Sequence, residues 1–172
     1  HFVLTSGRHS PSYFQCAKVL QNSKYLKLFS DQIADHFNNS QIDTIVSPAV
    51  GGIVIGTAVG ISMNKPAIFA EREKGRMTFR RGFSIEKGES ILIIEDVVTT
   101  GGSVKEVIHL VESFGSTVKG VGIIVDRSNG EAQLHSNQLA LATISAVSYA
   151  PDNVPNELKS IPVQKPGSRS LK

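Results

Sequence analysis

Residues 90–103 constrain the fold more than any other stretch of the chain. They read Ser-Ile-Leu-Ile-Ile-Glu-Asp-Val-Val-Thr-Thr-Gly-Gly-Ser. Ile91, Leu92, Ile93 and Ile94 make a short unbroken apolar run with β-branched bias, the pattern of a strand buried on both faces at the centre of a sheet. Two adjacent carboxylates, Glu95 and Asp96, follow at its end. Beyond a loop of small residues, Val104, Val107, Ile108 and Val111 recur at helical spacing. Strand, acidic pair, loop and helix in that order predict an α/β unit.

The loop has the chemistry of a phosphate site. Gly101 and Gly102 let the backbone come close to a ligand and tolerate positive φ. Thr99, Thr100 and Ser103 add hydroxyl groups. The first N–H groups of the following helix have no partner inside the helix and carry partial positive charge, so an anion fits there. An anion alone would not favour Glu95 and Asp96 as neighbours. A sugar phosphate accounts for both features, because carboxylates can accept ribose hydroxyls, directly or through a metal, while the loop holds the phosphate. The plain alternative is a strand-loop-helix turn capped by Ser103. Glycines alone would favour that alternative; hydroxyls, glycines and an acidic pair together favour the ligand. The Gly-Lys-Ser/Thr ending of a P-loop is absent, which disfavours that class of nucleotide hydrolase.

The run Ile-Ile-Glu-Asp-Val-Val-Thr-Thr-Gly-Gly-Ser resembles the phosphoribosyl pyrophosphate (PRPP) motif of the type I phosphoribosyltransferases: an apolar strand, two acids, two small or apolar residues, Thr, and a short Gly/Thr/Ser tail. The resemblance implies an α/β fold, a parallel sheet flanked by helices with a small amino-terminal hood and a mobile flap. It further implies that Glu95, Asp96, Val97, Val98, Thr99, Thr100, Gly101, Gly102 and Ser103 bind PRPP, with Asp96 and Glu95 serving the chemistry. Mg²⁺ is the implied cofactor, held mainly by PRPP and without a certain direct protein ligand.

Composition sets the outer bounds. A chain of 172 residues, 40% hydrophobic and 19% charged, predicts one soluble globular domain over 1–172, its last part, 151–172, a tail rich in Pro, Asn, Lys and Ser. The formal net charge of +3 is mild, and no basic low-complexity arm is visible, so an anionic small molecule is favoured over nucleic acid. The lone cysteine, Cys16, excludes an internal disulfide framework, reads as packed rather than catalytic, and suits a reducing, cytoplasmic setting. No apolar run approaches the roughly 20 residues of a membrane span, and no secretory signal is visible. The sequence starts at His1 without a methionine, so residues ahead of it can be missing. No internal repeat or second domain is evident.

The amino-terminal stretch compresses Arg8, His9, Tyr13 and Phe14 between Ser-Gly and Ser-Pro turn signals. An aromatic pair beside an arginine can stack on a flat anionic base and pair with its carboxylate; an apolar patch with a solvated arginine is an equal alternative. Phe-Val-Leu-Thr-Ser-Gly-Arg-His-Ser-Pro-Ser-Tyr-Phe resembles the amino-terminal signature of the orotate phosphoribosyltransferases, which implies that Tyr13 and Phe14 bind orotate. Many of that family carry a lysine where Thr5 stands.

Residues 23–38 are predicted as an amphipathic helix capped by Ser23, with Leu26, Phe29, Ile33 and Phe37 on one face. Thr44 to Val46 reads as a strand, Gly51 and Gly52 as its loop, and 53–63 as a buried helix. The resemblance assigns this loop to pyrophosphate, through backbone N–H groups where some relatives place a lysine at the position of Gly51. Residues 66–70 form a third predicted strand. Residues 71–83 then gather Arg72, Lys74, Arg76, Arg80 and Arg81. A solvated hairpin with edge-protecting charges is the plain reading. The resemblance implies a catalytic flap that reaches the neighbouring subunit of a homodimer, with Arg72 and Lys74 the first candidate cations and Arg76 the next. Val121 to Val125 is a further strand, ending in Asp126 and Arg127. A cation there faces the ligand crevice of a parallel sheet, or forms a local surface pair with Asp126. The resemblance assigns Arg127 to the orotate carboxylate and Thr99 to orotate as well. Residues 139–144 are predicted as a last strand, with a short helix near 156–159. His36, His109 and His135 lack partners at metal-ligand spacing.

Together these features imply transfer of ribose 5-phosphate from PRPP to orotate, giving orotidine 5′-monophosphate and pyrophosphate in pyrimidine biosynthesis. A purine phosphoribosyltransferase and a PRPP-sensing regulator on the same fold are the alternatives. The first should lack the amino-terminal signature and the Asp-Arg pair, and the second should add a DNA-binding domain or a strongly basic face.

Overall fold

The structure, a computed structural model, describes residues 1–4, 7–145 and 147–164. Thr5 and the Pro-Gly-Ser-Arg stretch of the tail lie outside them. The chain divides into two compact units, one of His1–Gln15 with Ser145–Lys172 and one of Cys16–Ile144.

The smaller unit ties the two ends of the chain together by backbone pairing. Strand β1 (Phe2–Val3) pairs antiparallel with β2 (His9–Ser10). The tail adds bridges on either side, Phe2 to Gln164 and His9 to Tyr149. Arg8 donates through Nε to Ser148 Oγ (2.8 Å) and through Nη2 to Ser148 O (2.7 Å). A short 3-10 turn (Pro151–Asn153) and a one-turn helix (Asn156–Lys159), the latter as expected, complete it by burying Val154 and Leu158.

The larger unit is built on a six-stranded sheet. Helices α1 (Cys16–Leu20) and α2 (Ser23–Phe37) lead into β3 (Thr44–Pro48), α3 (Gly51–Met63), β4 (Ala67–Glu73), β5 (Arg76–Phe79), β6 (Ser90–Val98), α4 (Gly102–Ser113), β7 (Thr117–Asp126) and β8 (Gln138–Thr143). The spatial order is β5-β4-β3-β6-β7-β8. Five strands run parallel; β5 alone is antiparallel, folded back on β4 as a hairpin through Lys74 and Gly75. Taken in chain order, the parallel strands stand as 2-1-3-4-5, so the order reverses between β3 and β6, the place where open α/β sheets bind ligands.

Both faces of the sheet are covered, as expected. On one, Val104, Val107 and Val111 of α4 pack with Val46, Ile91, Ile93, Val121 and Ile123. On the other lie α2 and α3. Phe37 fits against Gly120, and the missing side chain of Gly122 makes room for Ile33 and Ile94. Asn22, not Ser23, caps α2: its Oδ1 accepts the Lys24 N–H at 3.0 Å. The cap falls one residue earlier because Ser23 already has helical geometry. No helix among the described residues is long and apolar enough to cross a membrane.

Candidate active site

The acidic pair sits at the reversal of strand order. Strand β6 runs four residues beyond its apolar stretch, so Glu95 and Asp96 are still strand residues, at the carboxyl end beside the turn from β3 into α3. That turn passes through a cis Ala49–Val50 peptide, and Ala49 N–H is bonded to Ala70 O at 2.8 Å. The two junctions meet closely. A Cβ on Gly51 would lie 2.6 Å from Asp96 Oδ1 and 2.7 Å from Oδ2, and one on Gly52 would lie 3.1 Å from Glu95 Oε1. Only backbone fits between the carboxylates and the start of α3. Val50 at the head of α3 and Gly101 at the head of α4 provide no side-chain cap, so both helix ends present backbone to whatever enters.

The two acids differ in setting. Glu95 is 7% exposed. Burial, then the neighbouring Asp96 charge, pushes its carboxyl well above the usual range, so the neutral form is favoured. Its Oε1 accepts the Asp96 N–H at 3.1 Å. Asp96 is half-buried, and its Oδ1 accepts the Val97 N–H at 2.8 Å. Cys16 lies beneath them, its Sγ 3.8 Å from Asp96 O. Burial and the two acids push its thiol up to about 12, so it is packed and unreactive.

The loop after β6 is shorter than the motif. Val97 and Val98 are strand residues on the ladder with Val125 and Asp126, which leaves Thr99, Thr100 and Gly101 as the loop proper. Gly101 adopts φ 75 at the head of α4, where a Cβ would run into Leu134. Ser103 lies inside the first helical turn instead of capping it.

Arg127 is brought to this loop. Its N–H donates to Val98 O at 2.7 Å, which sets it beside Thr99. Arg127 is 8% exposed and Asp126 is 2% exposed, with Asp126 Oδ1 accepting the Ser128 N–H at 2.7 Å. The surface-pair alternative therefore does not describe them.

Residues 71–83 are a hairpin. Arg72 pairs with Glu106 of α4, and Lys74 occupies the turn at φ 49. Tyr13 and Phe14 are half-buried in the smaller unit, where the Tyr13 ring lies 5.7 Å from that of Phe2, and Arg8 is engaged with Ser148. The closeness of Gly51 and Gly52 to the acids has no signature in the sequence beyond two small residues at a strand's end. Among the described residues no group of three or more His, Cys, Asp or Glu could hold a metal ion.

Comparison with known proteins shows the family and the fold. The phosphoribosyl transferase domain matches residues 17–154. An orotate phosphoribosyltransferase of Chlorobium phaeobacteroides is 53% identical over 170 residues, covering 99% of this chain and 88% of that protein. One from Desulforamulus reducens is 48% identical over 171 residues, covering 99% and 90%. Among solved structures, an orotate phosphoribosyltransferase from Aeropyrum pernix superposes with a TM-score of 0.69 at 23% identity, covering 83% of this chain and 85% of that one. An adenine phosphoribosyltransferase from Thermoanaerobacter pseudethanolicus also reaches 0.69, at 15% identity, covering 77% and 88%. At these identities the two structures show the fold alone.

Proposed function

The chain belongs to the phosphoribosyltransferase family, among the orotate phosphoribosyltransferases, and from that premise we propose how its residues divide the transfer of ribose 5-phosphate from PRPP to orotate. The observation that carries the proposal is the close approach of Asp96 to the Gly51 backbone, where an added Cβ would lie 2.6 Å from Asp96 Oδ1. It joins the acidic end of β6 to the backbone of the β3–α3 turn at one point of the crevice.

Breaking the C1′–O bond puts positive charge on the ribose and negative charge on the departing pyrophosphate. Asp96, half-buried, is placed to accept a ribose hydroxyl and to face the positive charge. Glu95, favoured as the neutral acid, supports Asp96 from below and offers the ribose a partner of lower charge. Thr99, Thr100, Gly101, Gly102 and Ser103 hold the 5′-phosphate through hydroxyls and the N–H groups at the head of α4. Val97 has already given its N–H to Asp96 and lends the site its strand geometry; Val98 does the same by holding Arg127. Arg127 pairs with the orotate carboxylate, with Thr99 beside it. Tyr13 and Phe14 are assigned to the orotate ring on the signature they belong to. Lys74 and Arg72 serve the pyrophosphate side, Lys74 from an open turn and Arg72 by leaving Glu106.

A donor set of two carboxylates, one favoured neutral, fits a magnesium ion held chiefly by substrate oxygens, with Asp96 the protein oxygen at hand. When bound, Mg²⁺ supplies neutralisation of the leaving pyrophosphate. A homodimer with the hairpin serving the neighbouring subunit belongs to the same reading. Val50, Val54 and Ile61 leave exposed apolar side chains along α3 that a second copy would cover. The buried lone cysteine suits a cytoplasmic enzyme.

The test is formation of orotidine 5′-monophosphate from orotate, PRPP and Mg²⁺, with adenine as the competing base. Product from orotate and none from adenine is expected. Ribosylation of adenine instead would overturn the assignment of the base.

A further inference from the structure

The connection from β7 to β8, residues 127–137, grips the loop after β6 at both ends. At the near end the Arg127 N–H donates to Val98 O at 2.7 Å, on the last residue of β6 before Thr99. At the far end Leu134 closes over Gly101, the residue ahead of α4. A Cβ on Gly101 would lie 2.4 Å from Leu134 Cδ2 and 3.4 Å from its Cδ1 and Cγ. Only a residue without a side chain lets the leucine come this close to the backbone of the loop.

Side chains hold this connection in one shape. Asp126 Oδ1 accepts the Ser128 N–H at 2.7 Å, and Ser128 Oγ accepts the Ala132 N–H at 2.8 Å. Gln138, in β8, uses both ends of its amide: Oε1 accepts the Leu134 N–H at 3.0 Å, and Nε2 donates to Ala132 O at 3.1 Å. Gln138 is itself fixed on the sheet by its pairing with Val121. Ala132 is buried in the core that α4 covers, and Leu134 packs, partly buried, against the same core. The sheet thus reaches Gly101 through Gln138 and Leu134.

We propose that Leu134, set by Gln138, is a positioning residue for PRPP: it holds Gly101 in its left-handed conformation, so that the N–H groups at the head of α4 are aimed before the 5′-phosphate arrives. The inference rests on the phosphoribosyltransferase reading and deepens it. A short loop with an unbraced glycine populates many conformations, and a ligand that must order it binds more weakly by that cost. Leu134 and Gln138 act through Gly101 and not by touching substrate. Arg127 is anchored separately, by its bond to Val98 at the strand end. The effect of Leu134 is therefore confined to the phosphate side and spares orotate.

The alternative is a leucine that only fills the core, whose loss would lower Tm and treat both substrates alike. Steady-state formation of orotidine 5′-monophosphate by the full chain, beside calorimetric titration with PRPP in Mg²⁺ without orotate, separates the two. Leu134→Ala should raise KM for PRPP about tenfold and weaken PRPP binding by a similar factor, with kcat and KM for orotate within about two- to threefold of the wild type. Leu134→Met, close in volume, should recover most of the loss. Gln138→Ala should show the same split at about three- to fivefold, and adding it to Leu134→Ala should cost little more, because it acts through the leucine. Gln138→Ala carries the test alone if Leu134→Ala does not fold. An unchanged KM for PRPP in either variant, equal losses for PRPP and orotate, no recovery in Leu134→Met, or no PRPP binding by the wild type would each overturn the inference. A wild type that forms product while both variants titrate unchanged sinks the role of Leu134 alone. PRPP binding that depends on Leu134 in a protein that makes no product sinks the orotate reading alone.

Discussion

Asp96 and Gly51 define each other at the level of single residues. Asp96 is legible from the acidic doublet at the end of an apolar run, because that pattern is local. The requirement on Gly51 is not legible, since it comes from a strand and a helix that meet only after the sheet has formed. A methyl group at 51 would sit 2.6 Å from one Asp96 oxygen and 2.7 Å from the other. The carboxylate would have to rotate, giving up its bond to the Val97 N–H. Gly51→Ala should therefore lower turnover about ten- to hundredfold, the range expected for misplacing a reacting group by about an ångström. Its Tm should change little, because the turn is at the crevice rim. Steady-state kinetics beside a thermal melt checks this, and unchanged turnover would mean that Asp96 does not work from the position it occupies here.

At the level of elements, α3 is the piece whose packing the sequence describes least. Its apolar residues run all around it, so periodicity alone gives no inward face; the structure picks Gly52, Ile55, Gly56, Val59 and Gly60. Gly56 rides directly over Ser47 of β3, where an added Cβ would collide with Ser47 Oγ, while the Ser47 Cβ would be 3.1 Å away. That hydroxyl is buried and has no hydrogen-bond partner among the described residues. Gly56→Ala should cost about 1–3 kcal/mol by overpacking. Ser47→Ala should be near neutral, since it removes an unpartnered hydroxyl. The double variant should recover most of the loss, because the clashing atom is gone, and a double-mutant cycle in urea reads the coupling directly. Additive losses would show that the helix is held off the sheet by something other than Ser47. The hairpin shows the opposite case. The charges of 71–83 are plain in the sequence, yet their partners are not: Arg72 meets Glu106 and Arg81 meets Glu71 only through the register of β4 with β5 and the placing of α4.

Over the whole molecule, the order of the strands turns separate local motifs into a site, and it also sets how stability varies with pH. The alternation of strands and helices, legible along the chain, gives the layered α/β class, while the reversal between β3 and β6 depends on which edges pair. That pairing buries Glu95. With its carboxyl held well above the ordinary value of 4.5 by burial and by Asp96, the folded protein keeps a proton that the unfolded chain releases. Below about pH 4.5 both states hold it and the stability contribution is complete; as pH rises the unfolded state binds fewer protons, so stability falls until the folded-state pKa is passed. Other shifted groups act outside this window. Asp31 and Glu71, held low by Lys27 with Ser62 and by Arg81, act on the acid side, and the Cys16 thiol begins to matter only near its unfolded value of 9.0. Glu95→Gln, which cannot ionise, should therefore gain on the wild type as pH climbs from about 5 toward 8, by no more than about 1.4 kcal/mol per pH unit. Urea unfolding of both proteins across that range, without substrates, measures the gap. A gap that stays constant with pH would mean that Glu95 is charged in the fold, and the division of labour between the two acids would have to be reversed.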